Sequence, residues 1–215
     1  MRNFKAALKN SFAPLAEEPN SRPHYNYKMK DEKAAILACL QEGGSLLYPT
    51  DTIWGLGCDA HNVAAVEQLY ALKRRPAEKS LILLVSDIEM LKQYVFPVPP
   101  KAAKLISFHE RPLTIIYDKP KNLPKELLAA DGSIAIRVCQ SAFCQDFIRD
   151  FGRAVVSTSA NYSGQASPAH FGEIDPNLLA EVDYVCEYGR SNRKKVEPST
   201  IVRIGPKEEL EFIRP

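Results

Sequence analysis

Short apolar runs alternate with helical patterns along most of this chain, and this alternation limits the folds that it can adopt. Residues 81–85 are apolar at nearly every position, which is typical of a strand covered on both faces. Between such runs, apolar residues recur every three to four positions, as they do in helices that pack on a sheet. The closely spaced strands expected after Tyr184 favour some antiparallel pairing. The sequence therefore predicts an α/β protein with an open, mixed sheet flanked by helices.

Caps and glycines predict where the elements begin and end. Asp31, Asn62 and Asp87 each precede a helical pattern as expected N-caps, and Gly43 ends the first of these helices near residue 42. Helices are expected at 31–42, 63–73, from 88, and at 101–108, 142–151 and 177–182, and strands at 45–48, 81–85, 113–117, 134–138, 155–156, 184–186, 200–203 and 210–213.

The chain is predicted to form one principal domain. Its 215 residues show no internal repeat and no convincing interdomain linker. Residues 1–28 are polar and contain three prolines, and a second methionine, Met29, follows them. We therefore expect an N-terminal extension of unassigned role at 1–28 and a single domain at 29–215.

Composition narrows the functional class. The formal net charge of +2 is too small to indicate nucleic-acid binding by itself. Five cysteines, odd in number and without a CxxC pair, are typical of reduced thiols in a cytosolic protein. The four histidines have no metal-binding spacing, so no metal site is predicted from the residues. With no apolar run of about 18 residues and no signal sequence, we expect a cytoplasmic protein without a membrane span.

Two polar clusters follow predicted strands and lie about a hundred residues apart. Residues 50–57 contain threonines and glycines, and residues 157–164 contain hydroxyls, an amide and a glycine. The cations Lys73, Arg75 and Lys79 lie between them. Hydroxyls, lysines and arginines together are typical phosphate ligands. Because the chain lacks both GxGxxG and GxxxxGK[ST], the sequence predicts an anion site of another kind.

Each of these signals also has a plainer explanation. Lys73 and Arg74 could simply complement the negative end of a helix dipole. The serines and threonines suit turns and strands in any protein. Pro76 favours an extended backbone at Arg75, which predicts that Lys73 and Arg75 project to one side and Arg74 to the other. Arg137 interrupts an apolar strand, so it needs an anionic partner or a solvated face.

At these residues the sequence resembles the YrdC family of threonylcarbamoyl-AMP synthases, in the short form without the extra C-terminal domain. Several spaced motifs in the expected order carry the resemblance better than any one of them. They are residues 48–52 with 55–57, 72–76 with Lys79, 112–114, 135–138, 157–161, 198–202 and 213–215.

The resemblance implies a twisted sheet with a basic concave face. It also implies a reaction that joins L-threonine, bicarbonate or CO₂, and ATP into L-threonylcarbamoyladenylate and pyrophosphate. This product serves the N6-threonylcarbamoyl modification of adenosine 37 in tRNA. By motif match, the catalytic residues are Lys73 and Arg75, the ATP-binding residues are Lys73, Arg75, Lys79, Thr114, Ser157, Ser159, Asn161 and Arg214, and the threonine-binding residues are Thr50, Arg137 and Ser199.

The resemblance further implies Mg²⁺ on the triphosphate and a threonylcarbamoyltransferase complex that receives the product. Two departures stand out: Glu110-Arg111-Pro112 replaces the usual Pro-Gly-Pro, and Lys79-Ser80-Leu81 replaces Lys-Pro-Leu. Two alternatives remain open at this point. One is a non-catalytic relative that binds tRNA, ribosomal RNA or other double-stranded RNA, and the other is a carbamoyl-handling domain with a different acceptor.

Overall fold

The computed structural model describes residues 23–76, 81–194, 196–205 and 209–214, with side chains from Met29 onward. Within these ranges the chain forms a nine-stranded sheet and six α-helices. The strands are β1 (Leu46–Tyr48), β2 (Gly55–Gly57), β3 (Ile82–Val85), β4 (Leu113–Tyr117), β5 (Ile134–Val138), β6 (Val155–Ser159), β7 (Tyr184–Val185), β8 (Thr200–Ile204) and β9 (Leu210–Arg214). The helices are α1 (Pro23–Gln41), α2 (Val63–Leu72), α3 (Ile88–Tyr94), α4 (Pro100–Phe108), α5 (Ala142–Phe151) and α6 (Pro176–Glu181).

The predicted caps of α2 and α3 are confirmed, and the start of α1 is a correction. The side chain of Asn62 accepts a hydrogen bond from the backbone N–H of Ala65, and Asp87 caps α3 in the same way. Asp31, by contrast, lies inside α1, which begins at Pro23. Proline suits the first position of a helix because its missing N–H would have no partner there. Helix α1 is thus continuous across the domain boundary proposed after residue 28, and that boundary stays a prediction.

The sheet is mixed, as the sequence predicts. Its strand order is β7-β1-β2-β6-β3-β5-β4-β8-β9. Three neighbouring pairs, β1–β7, β3–β5 and β4–β8, are parallel, and the other five are antiparallel. Two short 3₁₀ helices, at Lys125–Leu127 and Phe171–Glu173, lie in the connections.

The central strands separate two chemically different faces. Along β5, Ile134 and Ile136 belong to the hydrophobic core, whereas Ala135 and Arg137 line a cavity on the other face. This follows from the two-residue period of a strand. The prediction that apolar side chains cover both faces of β3 is only partly right, because Ile82 forms part of the cavity floor.

Strand β2 is the element that sequence patterns did not predict. It contains Gly55 and Gly57, and glycine is uncommon in strands because it has no side chain to pack. A Cβ at Gly57 would lie 1.9 Å from the carbonyl oxygen of Val156 on the neighbouring strand, a distance that no side chain tolerates. The glycine thus allows β2 to approach β6 closely.

In the described part of the chain, no helix combines the length and the apolar character needed to cross a bilayer.

Candidate active site

A cavity of about 310 Å³ opens on one face of the central strands. Its floor is a row of side chains from four adjacent strands, since Ser157 of β6 pairs with Ile82, Ile82 with Ala135, and Ala135 with Ile116. Its walls come from loops and from the last strand. The lining residues are Thr50, Thr52, Ile53, Trp54, Gly55, Arg75, Leu81, Ile82, Ile116, Ala135, Arg137, Ser157, Thr158, Ser159, Ser167, Pro198, Ser199, Ile201, Ile213 and Arg214.

Arg137 lies at the base of this cavity and has an internal counter-charge. Its Nη2 lies 3.3 Å from Oδ1 of Asp51, and the side chains of both residues are about 95% buried. The other Asp51 oxygen accepts the backbone N–H of Gln140 at 2.8 Å, which fixes the carboxylate. The Nε of Arg137 is buried and has no hydrogen-bond partner among the described residues. Of the two environments predicted for Arg137, an anionic partner or a solvated face, the structure has the first. The guanidinium keeps donor capacity for a ligand.

Arg214, Ser199 and Thr114 form one hydrogen-bonded group. Arg214 donates from Nε to the carbonyl of Ser199 at 2.8 Å and from Nη2 to its hydroxyl at 3.1 Å. The hydroxyls of Ser199 and Thr114 lie 2.8 Å apart. Thr114 is fully buried behind Ser199, while Ser199 and Arg214 line the cavity. Thr114 therefore does not line the cavity itself but holds the hydroxyl of Ser199, which does.

The departure at Glu110-Arg111-Pro112 is accommodated by a surface contact. Arg111 pairs with Glu197 at 2.7 Å, and the backbone N–H of Thr200 donates to the carbonyl of Pro112 at 3.0 Å. Both contacts join the segment before β4 to the start of β8 and the residues just before it. The Ser199 loop therefore remains beside Thr114 without the usual Pro-Gly-Pro.

Lys73 lies beneath the cavity wall and is almost completely buried. Its Nζ donates to the carbonyl oxygens of Ser159 at 2.5 Å and of Asn161 at 2.6 Å. Burial, with a smaller contribution from the nearby charge of Arg75, lowers the pKa of Lys73 to about 8. The lysine thus joins the end of α2 to the turn that follows β6.

The next two residues separate, as predicted, although the two residues before Arg75 do not have an extended backbone. Lys73 is still helical, and Arg74 then adopts a positive φ of 49°. The Arg74 guanidinium lies over the ring of Tyr162, 4.5 Å from its centroid. Arg75 lines the cavity on the other side. Lys73 and Arg75 therefore lie close together, but of the two only Arg75 lines the cavity.

Thr50 and Thr52 form a compact turn at the cavity wall. The Thr50 hydroxyl donates to the carbonyl of Ile53 at 2.7 Å and accepts the backbone N–H of Thr52 at 3.0 Å. The hydroxyls of the two threonines lie 2.9 Å apart. The carbonyl of the preceding residue, Pro49, accepts the thiol of Cys144 at 3.2 Å. The threonine turn is therefore held from both sides.

The residues predicted after β6 do not all reach the cavity. Ser157 and Ser159 line it. Asn161 does not; its amide nitrogen donates to the carbonyls of Tyr162 and Gln165 and so shapes the loop. The remaining predicted cation, Lys79, lies outside the described residues.

The cavity carries excess positive charge. Arg75, Arg137 and Arg214 all line it, whereas none of its described lining residues is a carboxylate. Burial lowers the pKa of Arg214, and the neighbouring charge of Arg137 lowers it further. Such a concentration of guanidinium groups favours anionic ligands. Among the described residues, no cluster of His, Cys, Asp or Glu suited to a metal ion is present.

Sequence reasoning missed two of the residues that shape this site. Asp51 balances Arg137, and the buried charge within an apolar strand was the signal that a carboxylate had to exist. Thr52 belongs to the predicted polar cluster at 50–57 but is not among the predicted site residues, yet it lines the cavity. No spacing rule identifies either residue. The contact of Asp51 joins segments far apart in sequence, and the position of Thr52 depends on hydroxyl orientation.

An open mixed sheet with a hydroxyl-rich, cationic cavity on one face defines an α/β protein that binds anionic ligands. The Sua5_yciO_yrdC family model, described as "Telomere recombination", matches residues 38–215. The chain belongs to this family.

Comparisons of full chains agree with that assignment. The chain is 36% identical to threonylcarbamoyl-AMP synthase of Pseudoalteromonas translucida over 171 residues, which cover 78% of this chain and 90% of the relative. It is 31% identical to the corresponding enzyme of Photobacterium profundum, covering 81% of this chain and all of the relative.

Solved structures confirm the fold. P. abyssi Sua5 complexed with L-threonine superposes with a TM-score of 0.77 at 26% identity, covering 87% of this chain and 54% of that one. The chain thus spans about half the length of Sua5. E. coli YciO superposes with a TM-score of 0.72 at 23% identity, covering 91% of its chain, and supports the fold alone.

Proposed function

We propose that this protein synthesises L-threonylcarbamoyladenylate from L-threonine, bicarbonate or CO₂, and ATP, releasing pyrophosphate, for the N6-threonylcarbamoyl modification of adenosine 37 in tRNA. Support comes from relatives named threonylcarbamoyl-AMP synthase that match most of the chain, and from a related Sua5 that binds L-threonine. The single observation that carries the proposal is the convergence of Arg75, Arg137 and Arg214 on one cavity.

That convergence suits two anionic reactants. A triphosphate and an amino-acid carboxylate repel each other in water, so a site that unites them must supply several positive charges. The cavity has a guanidinium at its α2 side, one at its floor and one on the last strand. A volume of about 310 Å³ is at the lower end of the range for small-molecule sites, and the cavity also opens to solvent.

We assign the nucleotide to the α2 and β6 side of the cavity. Arg75 would contact the phosphates, and Lys73 would add positive charge from beneath the Ser159 turn. The complete proposed set for ATP is Lys73, Arg75, Lys79, Thr114, Ser157, Ser159, Asn161 and Arg214. Thr114 would act by holding the hydroxyl of Ser199, and Asn161 by holding the carbonyl of Gln165 in the loop after β6.

The threonine substrate is assigned to the part of the cavity around Arg137. Arg137 would receive its carboxylate, since its buried Nε has no hydrogen-bond partner in the part of the chain that the structure describes and its Nη2 is already beside Asp51. Thr50 and Ser199 complete the proposed threonine site. The Thr50 hydroxyl already serves the turn, so we expect Thr50 to contribute to the threonine site by shaping the cavity wall.

In the proposed reaction, a carbamate oxygen of N-carboxythreonine attacks the α-phosphorus of ATP. A bond forms between that oxygen and phosphorus, and the bond from phosphorus to the bridging oxygen of the β-phosphate breaks with its electron pair, releasing pyrophosphate. The residues contribute by positioning the two anions and neutralising charge on the phosphate oxygens. Because the described cavity lining offers no carboxylate, we expect Mg²⁺ to enter as part of the MgATP substrate, held by phosphates and water.

The direct test is incubation with MgATP, L-threonine and bicarbonate, with threonylcarbamoyladenylate and pyrophosphate both measured. Product is expected with threonine, with much less when serine replaces it and none without an amino acid. Arg75→Ala should abolish turnover, and Arg149→Ala is the matched control because Arg149 is an exposed arginine outside the cavity.

The outcomes also separate the alternatives. Formation of neither product would refute the proposal. Salt-dependent RNA binding that survives Arg75→Ala, in a protein without turnover, would instead indicate an RNA-binding relative. Amino-acid-independent ATP consumption with bicarbonate would indicate a different carbamoyl acceptor. We further propose a cytoplasmic location and delivery of the product to a threonylcarbamoyltransferase complex.

A further inference from the structure

The proton positions in the threonine turn can be deduced from heavy-atom contacts. A threonine hydroxyl has one proton to donate and two lone pairs that accept. The Thr50 hydroxyl lies 2.7 Å from the carbonyl of Ile53, and a carbonyl oxygen can only accept. The single proton of Thr50 is therefore used in that bond.

The Thr52 hydroxyl must then act as the donor to Thr50. The two hydroxyl oxygens lie 2.9 Å apart, and Thr50 has no second proton to give. Thr50 also accepts the backbone N–H of Thr52 at 3.0 Å, so both of its lone pairs are used. The Thr52 oxygen is left with its lone pairs and without a free proton.

This fixed acceptor belongs to a residue that lines a cavity with three guanidinium groups and six other hydroxyl side chains. Thr52 lines the cavity and is 93% buried as a residue. Arg75, Arg137 and Arg214 can donate hydrogen bonds but cannot accept them. An ammonium group would be poorly placed beside these cations without an acceptor, since it has the same charge and can only donate hydrogen bonds.

We propose that Thr52 is a specificity residue that accepts an N–H of the amino-acid substrate. This inference rests on the proposed function, because it assumes that an amino acid occupies the cavity. The same acceptor can bind the ammonium of the free amino acid and the single N–H that remains after carboxylation. With the carboxylate at Arg137 and the amine at Thr52, the substrate is held at two points and its carbamate oxygen can be directed toward the nucleotide.

The test compares three ligands with the wild type and with Thr52→Val, which removes the hydroxyl while nearly preserving shape. The ligands are L-threonine, L-2-aminobutanoate, which lacks the side-chain hydroxyl, and (R)-3-hydroxybutanoate, which lacks the amine. Affinities are measured by isothermal titration calorimetry, and thermal unfolding checks that each variant is folded. Thr52→Ser, which restores the hydroxyl, is the conservative control.

We expect Thr52→Val to weaken binding of threonine and of 2-aminobutanoate by about tenfold and to leave that of 3-hydroxybutanoate unchanged. Thr52→Ser should restore most of the affinity. An equal loss for all three ligands would overturn the inference in favour of a purely structural role. A loss for threonine and 3-hydroxybutanoate but not for 2-aminobutanoate would overturn it too, since Thr52 would then recognise the substrate hydroxyl.

Failure of this inference can be told apart from failure of the proposed function. If the wild type makes threonylcarbamoyladenylate and Thr52→Val binds threonine normally, only the inference is wrong. If the wild type makes no product but shows the expected ligand pattern, the proposed reaction is wrong and the amino-acid site stands.

Discussion

The Nζ of Lys73 lies 2.6 Å from the carbonyl oxygen of Asn161, although 88 residues separate the two in sequence. A second carbonyl, that of Ser159, accepts from the same nitrogen, and the backbone N–H of Ser163 donates in return to the carbonyl of Lys73 at 2.9 Å. The end of α2 and the turn after β6 therefore form one unit. This unit presents Arg75 and Ser159 to the same cavity.

Lys73→Met should therefore lower both stability and activity. The substitution removes two hydrogen bonds and leaves two carbonyls without their partner, which we expect to cost about 2 kcal/mol of unfolding free energy. Turnover should be lost because the Ser159 turn and Arg75 are no longer held together. Urea unfolding and the pyrophosphate assay measure the two effects.

Arg75→Ala is the matched comparison. Arg75 is only partly buried, so its removal should abolish turnover while changing the urea midpoint much less than Lys73→Met does. Equal stability of Lys73→Met and wild type would contradict the proposed structural role of the lysine.

The pH dependence of ATP binding should report the charge of Lys73. Burial lowers the pKa of this lysine from 10.5 to about 8, so the side chain loses its charge as pH rises through about 8. The neutral amine still has two N–H groups for its two carbonyl partners. We therefore expect the KM for ATP to rise between about pH 7 and 9, the range of about one pH unit on either side of that pKa. The site should stay folded across this range.

Stability should change in the opposite direction. Since the folded-state pKa lies below the unfolded value, the unfolded chain binds more protons between about pH 8 and 10.5, and the contribution of Lys73 to stability increases with pH across that window. Urea midpoints and KM values measured at the same pH values test the pair of trends. A parallel loss of stability and ATP affinity would mean that unfolding, not the charge of Lys73, explains the profile.

The pair of Arg137 and Asp51 predicts a ligand-dependent rescue. Asp51→Asn would leave a buried guanidinium without its counter-charge, and we expect a loss of about 3 kcal/mol in the unfolding free energy of the ligand-free protein. The carboxylate of bound threonine can replace the missing charge. Threonine should thus raise the melting temperature of Asp51→Asn more than that of the wild type.

An exposed ion pair provides the control for this effect. Asp131 pairs with Arg203 at 2.7 Å, but its side chain is 50% exposed. Asp131→Asn should therefore cost little, and threonine should stabilise it only as much as the wild type. An equal threonine-induced shift in Asp51→Asn and wild type would place the substrate carboxylate away from Arg137.

The parts of this fold that could be predicted from sequence are those governed by local periodicity and caps. Strand β5 alternates in the sequence as it does in the structure, and the Asn62 and Asp87 caps act over three residues. The site depends instead on contacts across long stretches of chain. Burial of Lys73 against the Ser159 turn could not be predicted, because a lysine at the end of a helix is usually exposed.

Strand β2 shows the same limitation in the backbone. Its glycines indicate a loop by composition, and only the approach of Val156 explains why they occur in a strand. Gly57→Ala would place a methyl group 1.9 Å from the Val156 carbonyl oxygen, so β2 or β6 must move. We expect a loss of more than about 3 kcal/mol in stability, or a protein that does not fold at 37 °C.

Gly164→Ala separates this steric effect from the general cost of replacing a glycine. Gly164 has a φ of +89°, and a Cβ there would meet no atom of the described residues within 4 Å. The substitution should cost only about 1 to 2 kcal/mol, the strain of a left-handed backbone. Chemical denaturation of both variants tests the argument. Gly55, on the same strand, pairs directly with Ser159 of β6. Any folded Gly57→Ala protein should therefore also lose ATP affinity. A normal KM for ATP would show that the cavity wall tolerates a displaced β2.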